Sequence, residues 1–137
     1  MIPSLEEYEI FIYTLQQDYQ NIKASTLVFK RTSSHSAQVI GWIYFRNNIK
    51  LRVVETIDFI DRLIIDYSYE VWIGDEKQYW YDCWPHPDIP ELAKTHPHHK
   101  HIHPDIKHHR IPAKGLSFKR PNLQYLIQEI IDNFLKN

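Results

Sequence analysis

The chain has 137 residues, of which 43% are hydrophobic and 14% aromatic, and a net charge of −1. That composition fits one folded domain with a sizeable core and excludes a disordered chain. The single cysteine, Cys83, excludes an internal disulfide and a four-thiolate zinc centre, and no apolar run approaches the ~20 residues of a membrane span.

The first element is a predicted helix. Ser4 suits the N-cap, Glu6 and Glu7 suit the first turn, and Leu5, Tyr8, Ile12 and Leu15 recur at helical spacing, with an end expected near Asp18 to Asn21. The opening Met1–Glu7 lacks the basic and apolar regions of a secretory signal, so a cytoplasmic location is expected. Strands follow at 23–31 and from Ala37 to Phe45, and Asn47-Asn48 suits a tight hairpin turn. In the next strand, 49–59, Ile49, Leu51, Val53, Glu55 and Ile57 share one face by the period of two. Ile64 to Ile73 places Ile65, Tyr67, Tyr69, Val71 and Ile73 together, Gly74-Asp75 turns the chain, and Gln78 to Cys83 makes a fifth strand. Short connections favour an antiparallel meander.

The pattern then changes. Seven of the eight prolines lie from Pro85 to Pro121, and eight of the nine histidines from His86 to His109. A long Pro/His-rich loop is expected here, anchored by residues such as Ile102, Leu116 and Phe118. Pro121 suits the first turn of a closing helix with Leu123, Leu126, Ile127, Ile130, Ile131 and Phe134 on its apolar face. The predicted architecture is a single α+β domain over residues 1–137: an antiparallel sheet of about five strands packed by N- and C-terminal helices.

Charge is unevenly spread. Residues 1–93 carry 8 Lys/Arg against 14 Asp/Glu, whereas 94–120 carry 7 against Asp105 alone. A basic, histidine-rich segment suits an anionic partner such as RNA or a phosphate ester, and equally the acidic remainder of the same chain.

Histidine exchanges protons near neutral pH and ligates metals, so His98, His99 and His101 are the leading catalytic candidates. In an extended segment His99 and His101 point to one side and His98 to the other. Glu55, an acid on an apolar strand face, is a candidate base or acid if desolvation raises its pKa. Asp82, just ahead of the segment, is placed to orient a histidine or to make a turn. Lys100, Lys107, Arg110 and His86 are candidate substrate-binding groups, the cations by contacting phosphate. His96, His98, His99, His101 and His103 invite adventitious zinc or nickel, but without a dedicated ligand motif no resident metal is expected. The aromatics Trp42, Tyr44, Tyr67, Tyr69, Trp72, Tyr79, Trp80, Tyr81 and Trp84 are candidates for stacking RNA bases, although filling the core and covering the sheet is the commoner role, and Cys83 reads as a packed residue.

The strings Tyr81-Asp82-Cys83-Trp84-Pro85-His86 and Pro97-His98-His99-Lys100-His101 resemble the signature of the TumE-like toxins of bacterial toxin–antitoxin systems, and the order of Gly41, Phe45, Leu51 and Glu55 fits the same pattern. The resemblance implies a cytoplasmic toxin neutralised by a cognate antitoxin protein, with Glu55, Asp82, His86, His98, His99 and His101 at the family's polar positions. RNA and a second copy of the chain are further candidate partners. The leading expectation is a metal-independent ribonuclease with histidine acid/base catalysis; the alternatives are a non-enzymatic protein- or nucleic-acid-binding module and a metal-dependent phosphoesterase.

Overall fold

The computed structural model describes residues 1–83, 98–103, 110–113 and 115–136. Helix α1 spans Leu5–Tyr13 and starts with a reciprocal cap: the Glu7 amide donates to Ser4 Oγ, and the Ser4 amide to Glu7 Oε1, both at 3.2 Å. Thr14 interrupts it, its hydroxyl donating to the Ile10 carbonyl at 2.8 Å, and a short α2 continues over Leu15–Asp18. Leu5, Tyr8, Ile12 and Leu15 are buried, as the helical spacing predicts.

Among the described residues the sheet has eight strands: β1 (Ile22–Ser25), β2 (Val28–Ser33), β3 (Ser36–Phe45), β4 (Ile49–Asp58), β5 (Leu63–Ile73), β6 (Glu76–Asp82), β7 (His99–His101) and β8 (Arg110–Pro112). Strands β3 to β8 run in sequence order, all antiparallel, while β1 and β2 both pair with β3 along one edge. The meander is therefore longer than the five strands expected, for two local reasons.

The first is Gly41. Its φ is +150°, and a Cβ there would stand 2.6 Å from the Thr26 carbonyl oxygen. The chain crosses that bare backbone at Thr26-Leu27, so the segment expected as one strand is divided into β1 and β2. Thr26 stitches the crossing, its amide donating to the Trp42 carbonyl at 2.8 Å and its hydroxyl accepting from the Trp42 amide at 2.9 Å.

The second lies in the histidine segment. His99–His101 does not lie as a loop beside the sheet but extends it as β7, and Arg110–Pro112 adds β8. Pro112, which lacks an N–H, is tolerated because β8 is the edge of the sheet among the described residues. Within the expected loop, residues 84–97, 104–109 and 114 lie outside the described residues.

The turns obey their residues. Asn47 and Asn48 take φ of 61° and 63°, the left-handed conformation that asparagine tolerates in a two-residue hairpin, and Gly74 takes 58°. One register shift corrects the expected face of β5. Thr56 pairs with Asp66 but Ile57 with Ile64, so Ile65 is the extra residue of a bulge and is exposed while Ile64 is buried.

One face of the sheet is the core: Val39, Ile43, Leu51, Val53, Ile57, Tyr69, Val71 and Tyr81 are all buried there. The covering layer is α1 and a C-terminal helix, α3 (Leu123–Ile130), which widens into a π-helical last turn over Ile131–Leu135. Leu123, Leu126, Ile127 and Ile130 are fully buried, each contributing about 1.5–3 kcal/mol of apolar transfer.

Candidate functional site

Register and alternation assemble the site. On β6, Trp80 and Asp82 point away from the helices while Tyr79 and Tyr81 point toward them. On β7, Asp82 stands opposite His99, Tyr81 opposite Lys100 and Trp80 opposite His101. His99 and His101 therefore share the outer face with Asp82, and Lys100 joins Tyr81 on the inner one. His101 Nε2 lies 3.0 Å from Asp82 Oδ2, and the Trp80 indole donates to the same oxygen at 3.3 Å. His99 Nδ1 is 3.7 Å from Asp82 Oδ1, too long for a hydrogen bond but close enough for charge to act. The His101 ring also packs on Trp80, centroids 4.2 Å apart. His99 and His101 are 0% and 1% exposed. Burial pushes the Asp82 carboxyl up, but the hydrogen bond and charge of His101, with Trp80 and His99, hold it below its ordinary value.

A second polar centre lies on the inner face. Glu55 is fully buried, Oε1 accepting from the Tyr8 hydroxyl at 2.6 Å and Oε2 from the Tyr69 hydroxyl. Asn122 Nδ2 donates to the Tyr69 oxygen at 3.2 Å. Burial raises the Glu55 pKa, and the bonds from Tyr69 and Tyr8 oppose that rise without cancelling it. Tyr69 stacks on Tyr67 with ring centroids 4.9 Å apart, and the Tyr67 hydroxyl is bonded to His98 Nδ1, beneath Phe118. Farther along this face Lys100 Nζ pairs with Glu129 at 3.3 Å and lies over the Tyr79 and Tyr81 rings, and the Tyr81 hydroxyl donates to the Glu129 carboxylate at 2.8 Å.

The match to known families is decisive here: the family model described as Toxin TumE covers residues 12–134. The chain belongs to the TumE toxin family. The match takes in the outer centre and, apart from Tyr8, the inner one, running from within α1 to the π-helical turn, and bears out the resemblance carried by the Tyr81–His86 and Pro97–His101 strings. The chain matches no curated protein and no solved structure. No helix among the described residues is long and apolar enough to cross a membrane.

In this TumE-family toxin the residues singled out from sequence divide between the two faces. Asp82, His99 and His101 come together outside; Glu55, His98 and Lys100 lie inside, each with partners of its own. His86 and Lys107 lie outside the described residues, as does the Arg110 side chain. The outer trio offers two imidazole nitrogens and a carboxylate oxygen, all within 4.8 Å of one another, a donor set suited to zinc and its neighbours. Sequence reasoning did not find the partners Tyr8, Asn122 and Glu129. Tyr8 was counted among the core positions of α1, and its hydroxyl was foreshadowed only by the need of a buried Glu55 for donors. Asn122 precedes α3 as a cap would, but its side chain clamps Ser117, accepting from the amide at 2.9 Å and donating to the carbonyl at 3.0 Å. Cys83 is buried, its sulfur accepting from the Tyr67 amide at 3.3 Å, which is the packing role expected of it.

Proposed function

We propose that this toxin cleaves RNA at the Asp82–His99–His101 centre and that a cognate antitoxin protein restrains it. The observation that carries the proposal is the Asp82–His101 contact of 3.0 Å with His99 beside the same carboxylate. Asp82 is the positioning residue: it orients the His101 ring through their 3.0 Å contact. The two imidazoles divide the proton work. One takes the proton of a ribose 2′-hydroxyl as its oxygen bonds to the adjacent phosphorus; the other, as imidazolium, gives a proton to the departing 5′-oxygen as the P–O5′ bond breaks. The products are a 2′,3′-cyclic phosphate and a 5′-hydroxyl, and no metal is needed. His86, Lys107 and Arg110 remain the sequence-based candidates for holding phosphate. Glu55 and Lys100 take no part: Glu55 is enclosed under α1, and Lys100 is paired with Glu129 on the far side of the sheet. Since both imidazoles are buried, substrate reaches them only if the centre opens on binding.

A metal-dependent phosphoesterase has support of its own in the convergence of three donors within 4.8 Å. Asp82, His99 and His101 would be the ligands, and a bound divalent ion would supply a polarised phosphoryl oxygen and a more acidic water.

The test is degradation of several RNA classes by purified toxin in EDTA, beside His101→Ala and His99→Ala. Cleavage that survives EDTA and leaves cyclic phosphate ends, with a loss of at least about 100-fold in each variant, supports the acid/base course. Cleavage abolished by EDTA and restored by zinc or manganese supports the metal course. Intact RNA under both conditions defeats both, and toxicity that persists in the two variants points to a binding module.

A further inference from the structure

The outer face of the sheet carries a second feature, which extends away from Asp82. Register aligns Trp42, Arg52, Glu70, Trp80 and His101 in one row across β3 to β7. Tyr44, Lys50, Trp72 and Lys77 make the adjacent row across β3 to β6. With strands about 4.8 Å apart, Trp42 and Trp80 stand roughly 14 Å apart, with Trp72 in the neighbouring row between them. Each indole has a cation over it. Lys50 Nζ lies 4.9 Å from the Trp42 centroid and 6.0 Å from that of Trp72, the Arg52 guanidinium 5.5 Å from Trp42, and Lys77 Nζ 4.0 Å from Trp80 and 5.2 Å from Trp72. The acid in the middle is occupied: Glu70 accepts from the Trp72 indole at 3.0 Å and from Lys77 at 3.4 Å.

A sheet face turned away from its helices has no need of three tryptophans. Threonine, lysine and glutamate would serve, and here the indoles are only half-buried and Tyr44 is exposed. The helices make their bonds to the other face, through Tyr8 to Glu55 and through Glu129 to Tyr81. Planar rings at strand spacing with cations between them match an unpaired nucleic acid strand, whose bases stack on aromatics while its phosphates meet Lys and Arg. A duplex hides its base faces and cannot use the indoles.

We propose that this face is a platform for single-stranded RNA, with about two or three bases stacked on Trp42 and Trp72 and phosphates held by Lys50, Arg52 and Lys77, so that the strand runs toward His101. It rests on RNA being the substrate of the Asp82 centre and names the form in which that substrate is taken.

The experiment is fluorescence anisotropy of a labelled 2′-O-methyl oligouridylate, which lacks the attacking hydroxyl and stays intact, with the full toxin in EDTA. Trp42→Ala and Trp72→Ala should each weaken binding roughly 5- to 100-fold. Lys50→Ala and Arg52→Ala should each lower the slope of log affinity against log salt by about 0.7. A matching duplex should compete poorly. The surface changes at Lys50 and Arg52 decide the matter if a tryptophan variant fails to fold. Unchanged affinity and salt slope in folded variants overturn the platform, as does loss of antitoxin binding with RNA binding intact, which makes the face a protein interface. Binding that depends on these residues without any cleavage of ordinary RNA leaves the platform standing and removes the ribonuclease. Cleavage indifferent to them does the reverse.

Discussion

Asp82 bonds the histidine diagonal to it rather than the one opposite. In the β6–β7 pairing its cross-strand partner is His99, yet the close contact, 3.0 Å, is with His101, while His99 stays at 3.7 Å. Trp80, the residue opposite His101, explains the choice: its ring packs on the imidazole and its N–H shares the carboxylate oxygen. His101 is thereby held by the Asp82 carboxylate at its Nε2 and by the Trp80 ring against its face.

Asp82→Asn removes the charge that this arrangement favours. The folded carboxyl titrates below its ordinary 3.8, so its contribution to stability is present at neutral pH and is lost as pH falls below that value. The variant should be less stable by about 1.5–3 kcal/mol at pH 7, the worth of a hydrogen bond to a charged group. Urea unfolding at pH 7 and pH 3 checks this: the gap between the two proteins should narrow in acid.

Glu55 predicts the opposite trend. Its folded pKa is raised above 4.5, so the group favours folding in acid, and stability falls as pH rises from there through the folded value. Glu55→Gln should abolish that decline, visible in melting temperatures recorded from pH 4 upward. Tyr8→Phe deprives a fully buried carboxyl of a donor and should cost about 1–3 kcal/mol.

Gly41→Ala should be among the most damaging small substitutions in the chain. The added carbon meets backbone at 2.6 Å, and the φ of +150° is one that alanine avoids, at a cost of about 1–3 kcal/mol before the clash is counted. Chemical denaturation measures it; a loss below 1 kcal/mol means that Thr26-Leu27 can move aside.

Lys100→Met separates the two faces. It removes the cation paired with Glu129 but leaves the outer centre in place, so RNA cleavage should stay within about three-fold of the parent while His101→Ala loses at least about 100-fold. A Lys100 variant as inactive as His101→Ala would mean that the inner face contributes to the reaction.

The fold was largely legible where periodicity carried it: the capped first helix, β3 to β6 with their Asn-Asn and Gly-Asp turns, and the apolar stripe of the last helix. The division of β1 from β2 was not, because it depends on a backbone crossing over Gly41 from a distant part of the chain. Strands β7 and β8 were hidden by their length, three residues each, amid prolines that signal a loop. In the site, alternation correctly put His99 and His101 on one side and His98 on the other, and Asp82 reached a histidine as a strand-end acid might. Whether Glu55 belonged with them turned on the direction of its face, which only the packing of α1 and its tyrosine reveals.

Strand β7 carries its chemistry in the alternation His99-Lys100-His101, so the outer centre depends on parity rather than on distance along the chain. In related toxins the Asp82 contact requires that β7 dock against β6 in the same phase. A slip by a single position would set Lys100 beside Asp82 and turn both imidazoles toward Glu129 and the tyrosines. Relatives that keep two histidines one residue apart, after a strand ending in an acid, should therefore keep the centre.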